Sequence, residues 1–191
     1  MTSVATTVIR HPKERIAKCS LRSLHDRPDI VFLRARPGFR FDATGFTLLA
    51  VDGEPLSSAD AGRPLLLLDS SWRWLPQLLG SVTGAPLRRS IPAGVRTAYP
   101  RQSKVHDDPQ QGLASVEALY VARRILGDDD PSLLAGYHWR EQFLAGLPPE
   151  LSCAPAGSGA PRRCTASGLR GAAARRAPAA TARARTGPRP R

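Results

Sequence analysis

The pattern of apolar and polar positions singles out one run in this chain. Residues 65–68 are four consecutive leucines, a pattern typical of a strand that is buried on both faces of a covered parallel sheet. The next four residues, 69–72, are an acid, two serines and a tryptophan. Ligands of open α/β sheets bind beyond the carboxyl ends of strands, so these side chains lie where a cofactor is expected. A plain turn that ends in a core-capping tryptophan explains the motif alone slightly better.

Shorter patterns predict further elements in the first third of the chain. Residues 30–33 (IVFL) and 47–51 (TLLAV) predict strands, followed by turns at 37–38 (PG) and 52–53 (DG). Residues 56–60 predict the start of a short helix with a serine cap. A small mixed or β-rich unit is therefore expected here.

Helical spacing dominates the second part of the chain. The clearest helix is predicted over residues 115–126, where Gly127 stops it. A short helix is expected within 72–79, and a final one over 132–144 with Asp130 as its cap. Residues 91–100 are predicted as a strand or an extended segment, and residues 101–112 as a polar loop.

Composition divides the chain into three regions, residues 1–62, 63–147 and 148–191. The last is rich in Ala, Arg, Pro and Gly and cannot bury a core, so it is expected to be disordered. The net charge is +12, but residues 151–191 hold nine arginines without an acid or a lysine, so residues 1–150 carry only +3. The high isoelectric point is therefore no argument that the body of the protein binds nucleic acid.

Several classes of protein are disfavoured. No apolar stretch approaches the roughly 20 residues of a membrane span, and the N-terminus has no signal-peptide core, so a cytoplasmic protein is expected. The three cysteines have no CxxC spacing and predict neither a zinc site nor a disulfide framework. The histidines have no ligand spacing either, and no metal is expected.

Six blocks stand in a recognisable order between residues 11 and 145. They are HPKERIAKCS (11–20), LLAVDG with LSSAD (48–60), LDSSW (68–72), RRSIP (88–92), SVEA (115–118) and YHWR with FL (137–144). Together they resemble the small-subunit ribosomal RNA aminocarboxypropyltransferases, as a diverged bacterial-type member. Ser70 and Ser115 stand where the family has cysteine, and residues 93–104 are more polar than their family counterpart.

The resemblance implies a fold, a reaction and a cofactor. The expected fold is α/β, a SPOUT-like knotted parallel-sheet domain in residues 63–147, preceded by a small mixed α/β lobe in 1–62. The implied enzyme moves the 3-amino-3-carboxypropyl group of S-adenosyl-L-methionine to a base nitrogen of ribosomal RNA, in a pre-ribosomal particle. Placing the correct carbon in line with the nucleophile supplies most of the catalysis.

The resemblance also suggests site residues. Asp69 is the candidate catalytic acid beside the transferred group, and it is also a candidate proton acceptor. Glu117 is either a cofactor ligand or an acid that complements the dipole of its helix. The cofactor-binding candidates are Ser20, Leu49, Val51, Asp69, Trp72, Val95 and Glu117. The RNA-binding candidates form a basic cluster: Arg88, Arg89, Arg96, Arg101 and Lys104.

Two other functions stay open. A SPOUT-type methyltransferase keeps the fold and the cofactor but moves the methyl group. A non-catalytic RNA-binding ribosome-assembly protein is favoured by the polar 93–104 stretch and by the two Ser-for-Cys changes. The target nucleotide, the choice between rRNA and tRNA, and the oligomeric state are not predicted.

Overall fold

Seven strands form two parallel sheets in the computed structural model, which describes residues 3–100 and 112–152. The main sheet has the order β2-β1-β5-β4-β7, and a small sheet pairs β3 with β6. The strands are β1 (Thr6–Arg10), β2 (Ile30–Arg34), β3 (Phe41–Asp42), β4 (Thr47–Pro55), β5 (Leu65–Asp69), β6 (Val82–Thr83) and β7 (Leu87–Ser90).

The leucine strand β5 lies at the centre of the main sheet, paired with β1 on one side and β4 on the other. Its side chains alternate between two apolar clusters, as strand geometry requires. Leu65 and Leu67 pack in one cluster, and Leu66 packs in the other. The predicted strand buried on both faces is thus confirmed.

Helices cover these two clusters. They are α1 (Leu75–Leu79), α2 (Ser115–Ile125), α3 (Arg140–Ala145) and α4 (Pro149–Ser152). Helix α2 contributes Leu119 and Tyr120 to the cluster of Leu65, while α1 contributes Leu78 to the cluster of Leu66. The predicted helix over 115–126 is confirmed, and Gly127, with a φ of 89°, ends it.

Within the described residues, four single turns of 3₁₀ helix connect the elements: Ile16–Lys18, Arg22–Leu24, Ser58–Asp60 and Pro131–Leu134. Ser57 caps the third, as the serine-rich pattern predicts. The predicted final helix over 132–144 is wrong in its first half. Asp130 does cap a helical turn there, but the turn is 3₁₀ and the α-helix begins only at Arg140.

The predicted turn at 52–53 is also wrong, because β4 continues through it to Pro55. Gly53 is needed here for a close approach between strands. A Cβ atom on it would lie 2.7 Å from backbone atoms of Arg89 on β7. β7 itself was not predicted, and the extended stretch 91–100 that follows it contains no strand.

The predicted boundary at residue 62 falls between β4 and β5, which are neighbouring, paired strands of the main sheet. Helix α4 lies within the predicted disordered region, whereas residues 153–191 and 101–111 lie outside the described residues. The knotted, SPOUT-like path of the chain stays a prediction.

Charged side chains join the N-terminus to the end of α2. Arg123 is fully buried and donates to Asp29, Asp128 and Ser3. Hydrogen bonds from Arg27 hold the pKa of the Asp29 carboxyl well below its ordinary value. None of the helices in the described part of the chain has the length and apolar character that a membrane span needs.

Candidate functional site

A cavity of about 1000 Å³ opens at the carboxyl end of β5. The turn after β5, the segment after β1, the middle of β4, the segment after β7 and the start of α2 form its walls. This is the edge of an α/β sheet where ligands ordinarily bind. The predicted cofactor-binding residues that line it are Ser20, Leu49, Val51, Asp69, Trp72 and Val95. Glu117 is the member of the predicted set that does not line the cavity.

Asp69 lies at the base of the cavity and is fully engaged. Its Oδ2 accepts from Arg10 Nε at 2.7 Å and from Cys19 Sγ at 3.1 Å, while its Oδ1 accepts from Ser115 Oγ at 2.9 Å. The side chains of Asp69 and Arg10 are only 8% and 6% exposed. A buried carboxylate is stable only with such compensation.

Arg10 is a site residue that the sequence did not reveal. It ends β1 directly opposite Asp69 in the strand register. Beyond the ion pair, one Nη faces His25 Nε2 at 3.0 Å and the other donates to Cys19 Sγ at 3.1 Å. Its guanidinium also lies 5.3 Å from the ring centroid of Phe32. A basic residue at the end of an apolar strand was the available signal.

The thiol of Cys19 is held in its neutral form. Burial raises its pKa to about 12, and the neighbouring charge of Asp69 acts in the same direction. Arg10 opposes this shift only weakly. Cys19 therefore serves as a hydrogen-bond donor to Asp69 and not as a nucleophile.

Glu117 shapes two walls of the cavity without touching its interior. The side chain is fully buried, and each carboxylate oxygen accepts two hydrogen bonds. Oε1 accepts from Ala98 N and Tyr137 Oη, both at 2.8 Å. Oε2 accepts from Thr97 Oγ1 at 2.6 Å and from Ala114 N at 2.8 Å. Glu117 thus joins the segment after β7 to the start of α2.

The turn after β5 forms the polar side of the cavity. Glu14 Oε1 accepts from Ser71 N at 2.6 Å and fixes this turn to the segment after β1. The Ser70 hydroxyl is buried and has no hydrogen-bond partner among the described residues. An unpaired buried hydroxyl is uncommon and requires an explanation. The opposite side is apolar and includes Leu49, Val95 and Leu113.

Two members of the predicted basic cluster, Arg88 and Arg89, are paired with acids of the same chain. One guanidinium nitrogen of Arg88, Nη2, donates to both carboxylate oxygens of Asp52, and Arg89 binds both Asp60 and Glu54. Arg96 is exposed, and the other two predicted members, residues 101 and 104, lie outside the described residues. The pairs weaken the case that Arg88 and Arg89 bind RNA. Nowhere in the described segments do three or more His, Cys, Asp or Glu side chains form a group able to hold a metal.

A solved structure, that of the SAM-dependent rRNA:acp-transferase Tsr3 from Vulcanisaeta distributa, aligns with this chain. The alignment has a TM-score of 0.56 and covers 74% of this chain and 78% of that chain at 21% identity. The two proteins share a fold. No family model and no curated protein matches the sequence.

Proposed function

We propose that this chain transfers the 3-amino-3-carboxypropyl group of S-adenosylmethionine to a base nitrogen in ribosomal RNA. In this proposal it is a diverged, bacterial-type member of the aminocarboxypropyltransferases, with their SPOUT-like fold, and acts on a pre-ribosomal particle in the cytoplasm. The cavity carries the proposal, because it gathers six residues that the resemblance assigns to cofactor binding. The shared fold with a SAM-dependent rRNA:acp-transferase supports it.

The lining of the cavity suits this cofactor. Its volume of about 1000 Å³ is at the upper end for small-molecule sites and leaves space for a second reactant. Leu49, Val95 and Leu113 offer an apolar slot for adenine. On the polar side, Ser70 and Ser71 line the cavity and suit the amino or carboxylate group of the arm.

When bound, S-adenosylmethionine would supply a carbon that is activated by the positively charged sulfur. The carbon–sulfur bond would break with its electron pair left on sulfur, and the base nitrogen would form a bond to that carbon and lose its proton. The residues of the chain orient the cofactor towards the base and shield its methyl carbon from attack. Trp72 offers an aromatic face to the positive sulfur, and Glu14 adds a negative charge to the same wall. Rate acceleration then comes mainly from proximity.

Asp69 is our candidate for the acid beside the transferred group. Because both of its oxygens already accept hydrogen bonds, we assign it to positioning Ser115 and Cys19 and to balancing the charge of Arg10. We assign Glu117 to holding the cavity walls instead of binding the cofactor directly. Proton acceptance from the base nitrogen is then left to solvent.

Calorimetric titration of S-adenosylmethionine into the full chain tests the cofactor assignment. We expect binding by the wild type, weaker binding by Trp72→Ala and none by Ala93→Trp, which places an indole on the cavity lining. Ala61→Trp is the matched control, because Ala61 is also exposed but lies outside the lining. A folded wild type that binds no cofactor overturns the proposal and favours a non-catalytic RNA-binding protein.

The position of an isotope label identifies the group that moves. We expect label from the carboxyl carbon of S-adenosylmethionine to enter unmodified small-subunit rRNA, and label from its methyl carbon to stay behind. The opposite result assigns the chain as a methyltransferase and overturns the aminocarboxypropyl assignment.

A further inference from the structure

Unpaired cations gather at one edge of the main sheet. The strands β2, β1 and β5 are neighbours and parallel, so their carboxyl ends meet at this edge. Each strand ends in, or is followed within five residues by, exposed basic side chains. We call this set the cationic rim: Lys13, Arg15, Arg34, Arg36 and Arg73.

The rim differs in its pairing from Arg88 and Arg89, the two described arginines of β7. Within the described ranges, none of its five members forms an ion pair with an acid, whereas Arg88 and Arg89 both do. Glu14, an acid in the same segment, is engaged by the backbone N–H of Ser71. With five cations and this one acid, the rim presents an excess of positive charge.

Trp74 fixes two rim cations beside the mouth of the cavity. Lys13 Nζ lies 4.0 Å from a Trp74 ring centroid, and the guanidinium carbon of Arg73 lies 4.8 Å from it. The buried ring of His11 stacks on Trp74 with an interplanar angle of 8°. Both Arg73 and Trp74 line the cavity. Two positive charges are thus held together at the entrance to the site.

We propose that RNA docks on the cationic rim, with Lys13 and Arg73 binding the phosphates that flank the base in the cavity. This inference rests on the proposed function. A base reacts only after it leaves its stack, so its flanking phosphates come to lie at the mouth of the pocket. Cations without acidic partners at that place are what such phosphates require.

The rim also relocates the RNA surface. The sequence predicts an RNA surface on the β7 side of the molecule, where Arg88 and Arg89 are neutralised by Asp52, Glu54 and Asp60. The rim lies at the other side of the sheet, at the ends of β2, β1 and β5. The cavity lies between them, bordered by residues from both sides.

Salt-dependent RNA binding tests the inference on the full chain. Fluorescence anisotropy with a labelled rRNA stem-loop gives the slope of log affinity against log salt. We expect Lys13→Gln and Arg73→Gln each to reduce the magnitude of the slope by about 0.7–0.9, and the double variant by about twice that. Arg63→Gln is the matched control, because Arg63 is exposed and lies just before β5, at the opposite edge. The arginine-rich residues 151–191 make the same contribution to the slope in every variant, so this contribution cancels in the comparison.

The outcomes separate this inference from the proposed function. Rim variants that keep the wild-type slope, or that change it no more than Arg63→Gln does, overturn the rim even if the wild type transfers label to RNA. A wild type that binds no S-adenosylmethionine but shows rim-dependent slopes overturns the enzymatic function alone. Reduced slopes in the two single variants, with the control unchanged, support the rim.

Discussion

Replacing Glu117 by glutamine tests how the cavity walls are held. The change keeps the shape of the side chain but turns one accepting oxygen into an NH₂ donor. Each carboxylate oxygen now accepts one backbone N–H, from Ala98 on one side and from Ala114 on the other. Whichever way the glutamine amide is oriented, its NH₂ group, which is a donor, faces one of these two backbone N–H groups. The hydroxyls of Thr97 and Tyr137 can rotate to accept instead, but a backbone N–H cannot.

The cost follows from this geometry. A buried donor without an acceptor costs about 1–3 kcal/mol, and the remaining bonds lose the strengthening that a charged acceptor gives. We therefore expect Glu117→Gln to lower the free energy of unfolding by about 2–4 kcal/mol. The same substitution should weaken S-adenosylmethionine binding, because the two affected segments carry Tyr99 and Ser115 into the cavity lining.

Urea denaturation followed by tryptophan fluorescence measures the stability term, and calorimetry measures cofactor affinity. Glu141→Gln is the matched control, since its side chain is 89% exposed and its one ion pair, with Arg140, is long. We expect this control to stay within about 0.5 kcal/mol of the wild type. A Glu117→Gln protein as stable as the control would refute the argument that the four hydrogen bonds hold the walls.

Two further predictions concern the base of the cavity. Asp69→Asn should lower the free energy of unfolding by about 3–5 kcal/mol, because it leaves Arg10 buried without a counter-charge. The control Asp52→Asn breaks an exposed pair with Arg88 and should lower the free energy of unfolding by at most about 1 kcal/mol. Equal losses for the two variants in urea denaturation would contradict the argument. Alkylation of Cys19 by iodoacetamide should be slow in the folded chain up to about pH 11, and mass spectrometry of the tryptic peptide measures it. The reason is that the pKa of this thiol is about 12, whereas the ordinary pKa of a cysteine thiol is 9.0. Because the pKa of the thiol is higher in the folded chain than in the unfolded chain, the protonated thiol favours the folded state. This contribution to stability is complete below pH 9 and falls progressively as the pH rises towards 12. Equal alkylation rates in the folded chain and in urea would show that burial does not protect the thiol.

Local patterns were sufficient for the elements that pack on the core. The leucines of β5 and the apolar spacing of α2 determine burial by themselves, and both were predicted correctly. A general rule of parallel sheets predicts that the polar residues after β5 lie at a ligand-binding edge, and these residues do line the cavity. These features depend on neighbours in sequence or on the strand period.

Features that depend on distant partners were not predictable in this way. Arg10 becomes a buried site residue only because Asp69, 59 residues later, lies opposite it. Arg88 and Arg89 carry little free charge because acids 29 to 36 residues before them are brought alongside. Gly53 signals a turn in isolation, yet the close approach of β7 makes it a strand residue. In each case the deciding contact is made by tertiary structure.

The hydrogen bonds around Asp69 have a consequence for synthesis of the chain on the ribosome. Its partners stand 59 and 50 residues before it and 46 residues after it. All five strands of the main sheet are complete by residue 90, but the wall contributed by Leu113, Ala114 and Ser115 and the clamp from Glu117 follow later. A growing chain therefore gains its sheet before it gains its cavity. Contacts of such long sequence separation also form slowly, so the newly made protein acquires a ligand site as one of its last steps.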